Sequence, residues 1–196
     1  MVAHREHVRL VLEALRRNRL LLNGRKCVFG ASSIVFLGHK VSHNMTQTDD
    51  MKIAAVAQWP MPKSRADIRA FIGFANFSRK YVPSFAHLAA PLTDVMAESS
   101  GPFLGMGEMQ RRAFRKIKQA LTSAPVLLLP QRHLPFTVVV DASAVAVGAV
   151  LQQDIGKGLQ PVAYMSKRMS TAEENYPIRT KNCWRRLWPL NTGASI

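Results

Sequence analysis

Acidic residues are scarce in this sequence: 12 of them face 27 lysines and arginines, for a net charge of +15 over 196 residues. Such an imbalance favours polyanionic partners over acidic small substrates, because binding releases the counterions held at phosphates. Cysteine is scarcer still. The two present, Cys27 and Cys183, fit neither a metal-ligand spacing nor a disulfide framework, so a reducing, intracellular setting is expected. The 6 histidines are scattered, and none is assigned to a metal. No apolar stretch reaches membrane-spanning length before a charge or a proline interrupts it, and no signal peptide, internal repeat or low-complexity tract is evident. Neither a membrane nor a small-molecule substrate is indicated. With 47% hydrophobic and 20% charged residues the composition is that of a globular chain, long enough for one medium domain or two small ones.

The apolar spacing predicts a helix over residues 4–22, with Val8, Val11, Leu12, Leu15 and Leu22 on one face and a stop near Asn23-Gly24. Residues 26–29 and 34–42 read as short strands, the latter folding as a hairpin around Gly38. Asp49 is the expected N-cap of a helix over 51–58, whose Ile53, Ala54 and Val56 can pack inward. Pro60 and Pro62 mark a linker, and Ser64 with Asp67 forms a capping-box start for a helix that aligns Ile68, Phe71, Ile72 and Ala75. The mixture of Phe74, Phe77, Arg79, Lys80 and Tyr81 suits a nucleic-acid groove, although aromatics at helical spacing also serve a core. After a loose stretch over 98–107, residues 109–122 return to helix. Ala113, Phe114, Ile117, Ala120 and Leu121 would point inward there, with five basic residues outward.

Residues 135–167 organise the rest. Three apolar runs, 136–140, 146–152 and 161–165, are separated by Asp141-Ala142-Ser143 and Gly156-Lys157-Gly158, which predicts a three-stranded antiparallel meander. Asp141 stands alone as the acid at the end of the first strand. That is a place where a carboxylate can hold a divalent cation, although spacing alone favours the cap of a turn.

The ordered motifs TVVVDAS, GAVLQQ, PVAYMSKRMS and EENYP resemble the first half of the ribonuclease H domain in the Pol polyprotein of Ty3/gypsy-type LTR retrotransposons. Upstream, FLGH over residues 36–39 and the stretch from Trp59 to Met96 are similar to the primer-positioning hairpin and the thumb of the same reverse transcriptases. The resemblance implies RNA-directed DNA synthesis and Mg2+-dependent cleavage of RNA in RNA–DNA hybrids, with an RNA–DNA hybrid or primer–template duplex as partner. It implies Asp141 as the first metal-binding catalytic acid. It further implies duplex contacts from Phe36, Leu37, Gly38 and His39 and phosphate contacts from Lys63, Arg65, Arg69, Arg79 and Lys80. Asp49-Asp50 is not the polymerase pair, since Gln47-Thr48 precedes it where the family has Tyr-x, so the Tyr-x-Asp-Asp site is not in this sequence. The second acid of the ribonuclease H site falls on Asn182, which carries no charge. From about residue 181 the sequence NCWRRLWPLNTGASI departs from the family. With suitable codons its neighbouring frame reads ELLAAVVALEHWRQY, the family's helix, and a frameshifted tail is expected.

The expected architecture is α+β: the end of a palm over 1–58, a thumb over 59–100, a connection over 101–134, the first half of a ribonuclease H-like domain over 135–181, and an aberrant tail over 182–196. A competent enzyme, a chain that only binds nucleic acid and an unstable product are the three outcomes, of which binding without catalysis is the one expected of the chain alone. The shortened sheet is expected to leave strand 136–140 with an open edge and an uncovered apolar face.

Overall fold

A computed structural model describes residues 2–97, 103–143 and 145–175. The first 34 residues form one unit, and the chain from Val35 onward forms another. In the first, helix α1 (Val2–Arg17) is amphipathic as its spacing requires, but it stops five residues before Leu22. Arg19 adopts φ +54, with Leu20 N–H bonded to the Leu15 carbonyl (3.0 Å) and Arg19 N–H to that of Arg16 (3.1 Å). Those two bonds are the Schellman closure, built here on an arginine instead of the usual glycine. The strand expected over 26–29 does not form either. Asn23 accepts from the Arg25 N–H (3.1 Å) and caps a short 3-10 turn, Gly24–Lys26. Local side-chain bonding thus takes over a segment whose Val28 and Phe29 remain exposed.

Beyond it come β1 (Ser33–Phe36), β2 (His39–Ser42) and β3 (Met45–Thr48). The hairpin around Gly38 is present, with Leu37 at φ +48 and Gly38 at φ +74, the left-handed pair that a tight primed turn demands. Strand β3 was not expected. It pairs with β2 in the register Val41↔Thr46 and with β4 (Leu127–Leu128) in the register Thr46↔Leu127, completing a sheet of order β1-β2-β3-β4.

Four helices supply the core. Asp49 caps α2 (Asp50–Ala57) as expected, by accepting from the Met51 N–H, but only Val56 is buried there; Ile53 is half-buried and Ala54 exposed. Three residues at helical spacing cannot all face inward from an eight-residue helix that meets the core along a single line. Helix α3 (Arg65–Phe77) starts on the Ser64–Asp67 capping box and buries Ile68, Phe71, Ile72 and Ala75, all four as read from spacing. A 3-10 turn (Arg79–Tyr81) leads into α4 (Phe85–Ala97), and α5 (Glu108–Thr122) buries Ala113, Phe114, Ile117 and Leu121 against it, with Ala120 half-buried. Helix α5 packs on both α2 and α4, and β4 joins the hairpin sheet.

The meander is as expected: β5 (Thr137–Ala142), β6 (Ala146–Asp154) and β7 (Leu159–Arg168), in that order across the sheet. The long turn is held by Asp154, whose Oδ1 accepts from the backbone N–H groups of Gly156, Lys157 and Gly158 at 2.8, 3.2 and 3.0 Å. Outer strand β5 shows Val138 and Val139 to solvent. The short helix α6 (Thr171–Glu174) closes the described part, so Asn182 and the tail over 182–196 lie outside it.

Helix α4, the 3-10 turn before it and the meander meet through β7. The Ser166 hydroxyl, fully buried, accepts from the Ala86 N–H (2.9 Å), and the Arg79 guanidinium donates to the Ser166 carbonyl. Arg168 pairs with Asp94 on α4. A Cβ added at Gly148, opposite Asp141 in the sheet, would stand 3.2 Å from Ser84 Oγ, so a glycine there admits the residue that leads into α4.

Candidate nucleic-acid interface

The hairpin sheet and the 3-10 turn after α3 are joined by a polar node. The buried Tyr81 hydroxyl lies 3.0 Å from Thr46 Oγ1 on β3 and 3.0 Å from His39 Nδ1 on β2. His39 also stacks on Phe77 from α3, ring centroids 4.7 Å apart and planes within 11°. Lys52, from α2, sets its ammonium 3.0 Å from the centre of that same Phe77 ring, and an added Cβ at Gly38 would come within 2.2 Å of the Lys52 Nζ. Glycine at the hairpin tip therefore does two things: it takes φ +74 without strain, and it leaves room for a lysine.

Phe36 and Leu37 are 62% and 74% exposed. An exposed leucine in the left-handed region costs about 1–2 kcal/mol, and such strain persists where the surroundings impose it. Burial, followed by the charges of Lys80 and Lys52, pushes the His39 imidazole below its ordinary value of 6.5. Burial likewise lowers Lys80 and raises Tyr81. Because the folded state prefers neutral His39, its contribution to stability is fully present above 6.5 and is lost as pH falls from there through the lower folded value. The denaturant midpoint should therefore begin to drop just below pH 6.5, and His39→Phe should flatten that segment. Asp67 and Glu173, both lowered by backbone hydrogen bonds first, act only in the carboxylate range further down.

Of the other basic residues implied as contacts, Lys63 just before α3 and Arg69 within it are exposed. Arg65 turns its Nε to the Val95 carbonyl (3.2 Å) and Arg79 turns to Ser166, so these two also brace the fold. Only Lys80 among them neighbours His39.

Comparison with known proteins gives this geometry a context. Residues 106–192 match the model of an RNase H-like domain found in reverse transcriptase. The chain is 37% identical over 184 residues to the transposon Tf2-3 polyprotein of Schizosaccharomyces pombe, covering 91% of this chain and 13% of that protein. It is 31% identical over 197 residues to the retrovirus-related Pol polyprotein from transposon opus of Drosophila melanogaster, covering 96% and 20%. The chain belongs to the Ty3/gypsy-like retrotransposon Pol family. It spans a fifth or less of the length of these relatives.

The fold of this Pol chain also matches a foamy viral protease-reverse transcriptase solved in complex with an RNA/DNA hybrid, with a TM-score of 0.81 at 19% identity over 97% of this chain and 26% of that one. A second foamy viral structure, solved with double-stranded DNA, gives 0.83 over 96% of this chain and 33% of that one. Both matches run over nearly the whole of this chain.

The Mg2+ implied by the family is tested by its donor set. Asp141 is exposed near the end of β5 and lines a cavity of about 190 Å3 with Ser84, His87 and Ser143. The reversal beside it is closed by Ser143, whose hydroxyl bonds both the carbonyl and the N–H of Ala146. Among the described residues no three of His, Cys, Asp and Glu come together as metal ligands. A two-metal centre needs several anionic oxygens around ions about 4 Å apart, and the described residues do not make one.

Lys52, Thr46 and Tyr81 are the members that sequence reasoning missed as site residues. In the sequence Tyr81 is one aromatic of a mixed run, and nothing in the spacing of Lys52 ties it to Phe77.

Proposed function

We propose that this Pol chain grips the backbone of an RNA–DNA hybrid or primer–template duplex, with the hairpin and the thumb acting as one jaw, and that it does not cleave the hybrid by itself. In the intact polyprotein the jaw would serve RNA-directed DNA synthesis and hybrid hydrolysis, in a reducing intracellular compartment. The single observation behind the reading is the Tyr81 hydroxyl, which ties His39 of the hairpin to the thumb and to Thr46 at once. A hairpin so tied presents its strained apolar tip at a fixed place beside Lys80 and Lys52, in a chain of net charge +15. Charge without specific pairing gives affinity for phosphates generally.

Fluorescence anisotropy with a labelled hybrid tests this. The logarithm of the affinity is expected to fall linearly with the logarithm of salt concentration, and the affinity to be unchanged by a chelator. The hybrid is expected to stay intact with Mg2+ for wild type and Asp141→Asn alike. Absence of binding, or binding indifferent to salt, would remove the jaw. Mg2+-dependent cleavage abolished by Asp141→Asn would show the nuclease reading to be the right one.

A further inference from the structure

One row of residues crosses the meander beneath α4. Asp141, Gly148 and Ser166 are register partners on β5, β6 and β7, so their side-chain positions share a face of the sheet. The start of α4 lies along that row. At one end the buried Ser166 hydroxyl accepts from the Ala86 N–H at 2.9 Å. In the middle Ser84 Oγ stands 3.2 Å from where a Cβ at Gly148 would be, tighter than an ordinary contact. At the other end Ser84 and His87 line the same cavity as Asp141. Ser84 holds φ +49 there, a left-handed conformation that persists in a serine only where its surroundings impose it.

The helix is clamped again further along. Arg168 on β7 donates to Thr93 Oγ1 at 3.2 Å and pairs with Asp94, both on α4, while Arg79, from the turn before the helix, donates to the Ser166 carbonyl. Helix α4 thus packs on β6 and β7. Ala146, on the same face as Gly148, is 5% exposed, whereas Val139, on the same face as Asp141, is 50% exposed, so β5 is the strand that stays open on this side. The cavity between, about 190 Å3, is smaller than the roughly 300–1,000 Å3 of sites that enclose small organic ligands. A duplex has less room still, since its major groove alone is about 12 Å wide and a single open strand offers about 4.8 Å.

We infer that α4 is an autoinhibitory cover. Held by Ser166 and Arg168, its first turn takes the ground on which a nucleic-acid strand must lie to bring a phosphate to Asp141. Closure of that face is built into the fold and is a separate matter from the shortage of carboxylates. It concerns access to the meander, not affinity for a duplex, so it stands whether or not the jaw grips one.

Thiol protection in the full chain tests it. With Cys27→Ser and Cys183→Ser as background, Ala146→Cys sets a thiol under α4 and Lys157→Cys sets one in the exposed β6–β7 turn. The first is expected to react with a bulky maleimide about a hundredfold more slowly than the second, as a group reached only by local opening does. Asp94→Arg should speed the reaction at 146 about threefold to fivefold, the worth of an exposed ion pair, and adding Arg168→Asp should reverse the gain. Ser166→Ala should speed it about tenfold, because the Ala86 N–H loses its buried partner. In each case the rate should depend only weakly on urea, which marks a lifting of α4 and not global unfolding. Equal rates at 146 and 157, or a rate at 146 unchanged by both Asp94→Arg and Ser166→Ala, would overturn the cover. As a second arm, a photoreactive RNA–DNA hybrid should leave residues 146–150 unlabelled in the unaltered chain and label them in Ser166→Ala; label there in the unaltered chain would equally overturn it. A hybrid that labels no part of either chain would sink the jaw, and the thiol rates would still decide the cover.

Discussion

Phe71→Ala is expected to destabilise the second unit by about 3–5 kcal/mol, the range for a large aromatic removed from a tight core. The side chain is wholly buried. Its ring meets Phe114 of α5 at 4.5 Å between centroids and Trp59 of the linker at 5.8 Å in an edge-on contact. Trp59 in turn leans on Phe74 at 5.2 Å, and its carbonyl accepts from the Lys118 ammonium at 2.9 Å. Alanine would leave a hole bordered by three elements that cannot all close on it, since α5 is also held by α2 and α4. Urea unfolding followed by far-UV circular dichroism should show a lower midpoint at unchanged slope. Phe77→Ala is the control from the same helix: 42% exposed, it should cost less stability while disturbing the His39 stack. Equal losses for the two would mean that Phe71 is not the keystone of this core.

That core was legible because α3 and α5 obey simple rules. Ser64 and Asp67 announce the start of α3, and the four buried positions that follow fall on one stripe. The meander was legible for a similar reason, with β-branched runs separated by residues that favour turns, and its register follows from the short reversal. Where the reading failed, a local signal was overruled or was never present. Arg19 ends α1 in a conformation that sequence rules reserve for glycine or asparagine. Strand β3, Met-Thr-Gln-Thr, has no apolar alternation of its own and exists because β2 and the distant β4 flank it.

The candidate site divides along the same line. His39 and Lys80 were reachable through the resemblance to reverse transcriptases, which singles out the hairpin and the thumb. Lys52 was not, because its role depends on Gly38 and Phe77 arriving from two other elements. Arg79 was read as a phosphate contact, and its bond to the Ser166 carbonyl adds a second duty. No spacing around the 3-10 turn that carries Arg79 could show that duty, since Ser166 belongs to the meander.

The other large effect is expected at Gln153, a fully buried amide on β6. Its Oε1 accepts from the Gln131 N–H at 2.9 Å, and its Nε2 donates to the carbonyls of Gln131 and Leu134 at 2.8 and 3.0 Å. One side chain thus satisfies three backbone groups of the segment that leads from β4 into β5. Removing it in Gln153→Ala leaves those groups without partners, at about 1–3 kcal/mol for each that stays dry. A total of roughly 3 kcal/mol is expected once water reaches the half-exposed ones. Gln152→Ala, one residue away and on the opposite face of the strand, should cost much less. Gln153→Glu sharpens the test, because a carboxylate would face two carbonyl oxygens. That variant should be most destabilised at neutral pH and should recover in acid, where a protonated acid can donate to one of them. The loss should also reach Asp141: Thr137 pairs with Gln152 at the start of β5 and Asp141 with Gly148 near its end, so freeing the lead-in should raise hydrogen exchange along the whole strand. If Gln153→Ala leaves β5 as protected as wild type, the strand that bears Asp141 is held by its pairing to β6 alone, and the amide is incidental to it.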